Sequence, residues 1–91
     1  MDPASLPRLR ELLAKDFAIE PARLVPATTL ADLEIDSLRM IEIAFDVEEA
    51  FGITIPAEPA ELMARVKTLA DLAAYVDERV AARDAQPERS A

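Results

Sequence analysis

Seven prolines and a single glycine cut the 91 residues into segments, and within those segments apolar side chains recur every three or four positions. That spacing gathers them on one side of an α-helix, whereas a half-buried strand would need alternation. Leu6, Leu9, Leu13 and Phe17, with Leu12 beside them, define a first helix over Leu6 to about Phe17. Ser5 is its expected N-cap, and Pro7 falls in the first turn, where its missing N–H costs nothing. A second helix spans Ser37 to Phe51, with Asp36 as N-cap and Gly52 just past its end. Ile53 to Ile55 then form a short extended link closed by Pro56. Pro59 to Val66 read as a brief third helix offering Leu62, Met63 and Val66 to a core. Thr68 and Asp71 make a capping box with Asp in place of Glu. The fourth helix follows, with Leu69, Leu72, Val76 and Val80 as its stripe.

From Ala18 to Ile35 the periodicity fails. Pro21 and Pro26 interrupt any helix, while Ile19, Leu24, Val25, Leu30 and Leu33 are isolated apolar pins. The expectation is a long ordered loop laid over the helices, with a short helical turn from Thr29. A loop of this length in a compact domain calls for a functional reason.

The fold class expected is all-α: a small four-helix bundle of three main helices and one short one, with a long loop between the first two. Ninety-one residues suffice for one core only, and 52% hydrophobic residues supply it. Residues 1–83 are read as the domain, and 84–91, polar and containing Pro87, as a disordered tail.

Function is first narrowed by what the chain lacks. With no Cys and no His, disulfides, Cys/His zinc sites and Ser-His triads are excluded. The acids lie along a helix rather than in a Gly-centred loop, which argues against calcium, so no metal site is expected. Ten basic residues against eighteen acidic ones give a net charge of −8. Such a chain repels phosphate backbones and anionic lipid, and is steered towards basic protein surfaces. Neither nucleic acid nor membrane is an expected partner. The first residues lack the pattern of a secretory leader, and a cytoplasmic monomer is the default reading.

The second helix carries two apolar faces. At about 100° per residue, Met40, Ile43, Ala44, Val47, Ala50 and Phe51 fall within an arc of about 120°, the width of a core-facing stripe. The opposite side should be polar, yet Leu38, Ile41 and Phe45 lie there among Glu42, Asp46, Glu48 and Glu49. An apolar centre ringed by acids has the composition of a docking surface. Between Asp32 and Glu49 seven acids stand against one base, Arg39, which accounts for −6 of the chain's −8. The plainer alternative is that the three apolar residues pack beneath the long loop and the acids are a solvated face.

Leu33-Glu34-Ile35-Asp36-Ser37-Leu38 resembles the phosphopantetheine attachment motif of acyl carrier proteins, centred on Asp-Ser-Leu. The run from Glu48 through Phe51-Gly52-Ile53-Thr54-Ile55-Pro56 is similar to the end of the second helix and the following turn in free-standing carriers. The likeness extends from about Leu6 to Val80. It implies 4'-phosphopantetheine as cofactor, attached to Ser37 and presented by Asp36, and acyl cargo carried as a thioester. It also implies a non-enzymatic role in fatty-acid, polyketide or related lipid biosynthesis. The partners implied are a phosphopantetheinyl transferase and acyl-loading and acyl-using enzymes with basic docking patches. Their contact residues would be Leu38, Arg39, Ile41, Glu42, Phe45, Glu48 and Glu49.

Ile43, Val47, Phe51, Leu62 and Val76 either part to shelter an acyl chain or form a closed core. Three departures from the family pattern point to a specialised member. Glu34 and Ile35 stand where Gly and a small residue are frequent, and Arg39 stands where an acid is common. The Ala57–Lys67 segment also differs in length. The competing readings are an aminoacyl or peptidyl carrier of the same fold, and an unmodified acidic adaptor. In the adaptor, Asp36 would be only a helix cap.

Overall fold

The computed structural model describes residues 2–85. Helix α1 spans Leu6–Asp16, α2 Ser37–Phe51, α3 Pro59–Arg65 and α4 Leu69–Asp84. A 3-10 turn at Pro21–Arg23, not anticipated from the sequence, lies between α1 and α2. There is no strand among the described residues; an isolated antiparallel bridge joins Thr29 to Thr68. This is the all-α bundle of three long helices and one short helix. Helix α4 runs through Asp84, one residue past the expected domain boundary; residues 86–91 of the expected tail lie outside the described ones.

One core fills the space between the helices. It takes Leu6, Leu9, Leu12 and Leu13 from α1, Met40, Ile43 and Val47 from α2, Leu62 from α3, and Leu69, Leu72, Ala73, Tyr75 and Val76 from α4. Burying each large aliphatic side chain is worth roughly 1.5–3 kcal/mol, which is what drives these short helices together. Ala44, Ala50 and Phe51 lie at the edge of the core rather than inside it, and Val80 is likewise half-buried.

The long connection is ordered because it donates both side chains and backbone to the bundle. Leu24, Leu30, Leu33 and Ile35 are buried. Leu30 N–H donates to Lys67 O (3.0 Å), Leu69 N–H to Thr28 O (2.8 Å) and Ala70 N–H to Pro26 O (3.0 Å). The loop thus satisfies backbone groups at the start of α4 that the helix itself leaves open. Val25 is not a pin: it is 45% exposed, because the turn closed by Thr28 N–H to Val25 O faces it outward.

Ser5 does not cap α1. Its backbone is already helical and its side chain makes no cap bond. The hydroxyl instead donates to Ala73 O in α4 at 2.8 Å. Asp77 performs the capping from across the bundle, accepting from Ala4 N–H and Ser5 N–H, each at 2.9 Å. At α4 the capping box forms as read: Thr68 Oγ1 accepts from Asp71 N–H, and Asp71 accepts from Thr68 N–H and Lys67 N–H. Those backbone donors, Lys67 first, hold the Asp71 carboxyl below its ordinary value.

Candidate functional site

The site is built by the turn that delivers the chain to α2. Thr29 Oγ1 accepts from Asp32 N–H (3.0 Å) and opens a single turn, the short turn expected from Thr29. Two bonds close it: Ile35 N–H to Leu30 O and Glu34 N–H to Ala31 O, both 3.0 Å. This pairing is a Schellman closure, which requires the residue at Glu34 to be left-handed. Glu34 indeed has φ +59°. A non-glycine residue there costs about 1–2 kcal/mol, partly offset by the entropy glycine would lose. Glu34→Gly is therefore expected to stabilise the fold by about 0.5 kcal/mol, raising the melting temperature by roughly 2–4 °C in a thermal scan.

Asp36 follows in extended conformation and caps α2: its Oδ1 accepts from Arg39 N–H at 2.8 Å, while its carbonyl accepts from Met40 N–H, also at 2.8 Å. The first two N–H groups, those of Ser37 and Leu38, have no partner within the helix. Ser37 is the first helical residue and is exposed. Its hydroxyl therefore sits beside free backbone donors at the positive end of the helix dipole, the environment an attached phosphodiester needs. The residues present fit a phosphopantetheine arm: an accessible hydroxyl to hold it, and N–H groups to receive its negative charge.

Beyond Ser37 the outward face of α2 is apolar at its centre. Leu38 is 69% exposed, Phe45 67% and Ile41 36%, whereas Met40, Ile43 and Val47 are buried. The alternative of packing under the loop does not hold. Glu42 and Glu49 are exposed on the rim, while Glu48 is turned to the fold, its Oε2 accepting from Ile55 N–H at 2.7 Å. That bond straightens the link after Gly52, whose φ of +64° ends the helix. Arg39 lies over the Phe17 ring (5.6 Å to the centroid) and reaches Glu42 Oε1 at 3.3 Å.

Asp46 was read only as part of the acidic rim, but it has a second relation. Its Oδ2 is shut off from solvent without a hydrogen-bond donor among the described residues. A proton on this carboxyl lets it bond to Asp16 at the end of α1. Sharing with Asp16, then burial, then the charges of Asp16 and Glu49 push it up to about 6 from an ordinary 3.8. The folded state therefore holds a proton that the unfolded chain releases. Its stability declines as pH rises from about 4 to 6 and the loss is complete above that range. Asp16→Asn should stabilise the protein by about 1 kcal/mol at pH 7.5, after allowance for solvent screening, and much less at pH 4.5. Thermal melts at the two pH values check this.

Three arginines from two other helices seal the far end of α2. Arg8 Nη2 donates to Ala50 O at 2.6 Å, Arg79 Nε to Thr54 O at 2.9 Å, and Arg83 Nη1 to Phe51 O. Arg8 also stacks over the Phe51 ring, 5.0 Å from its centroid. Arg8 and Arg83 satisfy carbonyls at the negative end of the helix and Arg79 holds the link after it, leaving α2 fixed at one end and open at the other.

The family profile described as "Phosphopantetheine attachment site" matches residues 7–76. This chain belongs to the acyl carrier protein family. It is 35% identical over 78 residues to the acyl carrier protein of Thermosynechococcus vestitus, covering 85% of this chain and 93% of the relative. It is 38% identical over 69 residues to the meromycolate extension acyl carrier protein of Mycolicibacterium smegmatis, covering 75% and 67% of the two chains. The similarly named protein of Mycobacterium tuberculosis strain H37Rv is 36% identical over 69 residues, covering 75% and 57%. The acyl carrier family supplies the cofactor, phosphopantetheine, and the role of carrying acyl groups in fatty-acid or related lipid biosynthesis. Its members are carriers rather than catalysts and work with acyl-handling enzymes. No helix among the described residues is long and apolar enough to cross a membrane.

Proposed function

We propose that Ser37 Oγ is the attachment point of the arm and that the exposed face of α2 is where partner enzymes dock. The observation carrying this reading is the juxtaposition at one helix end. An exposed hydroxyl follows a capped turn, and Leu38 beside it begins the apolar row that continues through Ile41 and Phe45. When bound, the arm supplies a terminal thiol for thioester chemistry, which the chain, having no Cys, cannot provide itself. Ser37 contributes the oxygen that displaces adenosine bisphosphate from coenzyme A: Oγ–P forms as the pyrophosphate bond breaks, and the hydroxyl proton passes to a base of the transferase. Asp36 keeps the helix start in place, its Oδ1 accepting from Arg39 N–H. Like the members of its family, the chain acts in this reading as a carrier rather than an enzyme.

Partners gain affinity from the apolar row and orientation from Glu42 and Glu49. Glu48 supports this face from behind through its bond to Ile55 rather than meeting a partner directly. The cargo class favoured is fatty acyl, and the modification belongs in the cytoplasm with coenzyme A. The test is intact mass after incubation with coenzyme A and a broad-specificity transferase, followed by loading with fatty acids or amino acids. A gain of one phosphopantetheinyl group and acceptance of fatty acids are expected. Acceptance of amino acids alone would make it an aminoacyl carrier; no gain in either the parent or Arg39→Asp would support the adaptor, whereas a gain in Arg39→Asp alone would point to a dedicated transferase.

A further inference from the structure

Helical spacing puts Arg39, Glu42, Asp46 and Glu49 in one row along the rim of α2. The row begins with a cation and continues with three acids. The cation stands in the first turn of the helix, which holds no acid. There it opposes the positive end of the dipole, an unfavourable place for a cation. It is kept there by two contacts, the Phe17 ring at 5.6 Å and Glu42 at 3.3 Å. These contacts do not remove it from the surface, since its side chain remains 49% exposed. The fold thus holds one positive charge in a set position beside Ser37 and Leu38, on a rim that is otherwise negative.

We infer that Arg39 is a specificity-determining residue for docking. It admits partner proteins that set a carboxylate against the first turn of α2, with basic side chains placed further along, towards Glu49. A partner whose basic row begins at the first turn meets a like charge there, and such juxtapositions are how wrong partners are rejected. Glu42 is committed to Arg39, so its charge is partly cancelled for an incoming lysine or arginine. The attraction left for a basic partner lies about three turns along α2 from Ser37, at Glu49.

This inference rests on the carrier reading, and the experiment separates the two. A broad-specificity phosphopantetheinyl transferase with a uniformly basic docking face serves as probe, with coenzyme A as donor. Its kcat/KM is measured on the parent chain, Arg39→Gln and Arg39→Asp, at low salt and at about 1 M salt, where charges are screened within about 3 Å. Arg39→Asp is expected to be modified about tenfold faster than the parent at low salt, with Arg39→Gln between them, and the three should converge at high salt. Thermal melts establish that each variant is folded; should Arg39→Asp not fold, Arg39→Gln alone carries the comparison. Rates within twofold of the parent for the folded variants at low salt would overturn the inference and leave the carrier reading standing. A gain that persists unchanged in 1 M salt would also overturn it, because the effect would not be one of charge. If neither the parent nor any variant gains the arm while a control carrier does, both readings fall.

Discussion

Ser37→Ala is expected to abolish the mass gain on treatment with coenzyme A and a transferase, and with it every acyl transfer that depends on the arm. The loss is expected to be complete because the bond is covalent and a methyl group offers no oxygen. Stability should change by less than about 0.5 kcal/mol, since Ser37 is exposed. The cap of α2 belongs to Asp36, which the substitution leaves in place. This pairing of complete functional loss with an unchanged melting curve separates an attachment site from a structural serine. An adaptor would behave in the opposite way, with Ser37→Ala still binding its partner and supporting its function.

The second large effect contrasts two residues only two positions apart on α2. Ile43→Ala is expected to cost about 2–5 kcal/mol, because Ile43 has no exposed surface and its removal leaves a cavity among close-packed neighbours. Against a total stability of about 5–15 kcal/mol, the melting temperature should fall by 10 °C or more. Phe45→Ala, at a position 67% exposed, should leave the melting temperature nearly unchanged. Its effect falls on partner affinity, by about 2 kcal/mol or roughly thirtyfold if Phe45 is an interfacial anchor. Calorimetry on both variants, with transferase KM for Phe45→Ala, checks the pair. A large stability loss at Phe45 would show that its ring is buried and the docking face misassigned.

The same distinction explains what could be read from the chain alone. Asp36, Ser37, Gly52 and the capping box at Thr68 and Asp71 were legible because their bonds close within three to five residues. The two-faced character of α2 was legible because helical spacing is fixed. Which of its faces turns inward was argued from the number and breadth of apolar residues, and the burial of Met40, Ile43 and Val47 agrees. Ser5 has the sequence signature of a cap, because Ser before a leucine-rich helix ordinarily is one, but makes no cap bond. Asp77, 72 positions away, took that role instead.

Glu34 lies between the two cases. Its departure from glycine was visible in the sequence, but the φ of +59° that makes the departure costly belongs to the closed turn. Arg8, Arg79 and Arg83 carried no local signal of their task. Each looks like an ordinary surface charge until the end of α2 and the link after it are placed beside it, at separations of 42, 25 and 32 residues.

What the sequence by itself determined is the set of four α-helices, the caps of α2 and α4, and the serine at the start of α2. These follow from short-range sterics and hydrogen bonds that any conformation of the neighbouring chain leaves intact. Only the tertiary structure decided that Asp77 would cap α1, that the Asp46 carboxyl would be raised by Asp16 and burial, and that Arg39 would be held against Phe17. Each of those depends on the packing of α1 against α2 and α4, a consequence of the whole apolar core, so no single stretch of sequence contains it.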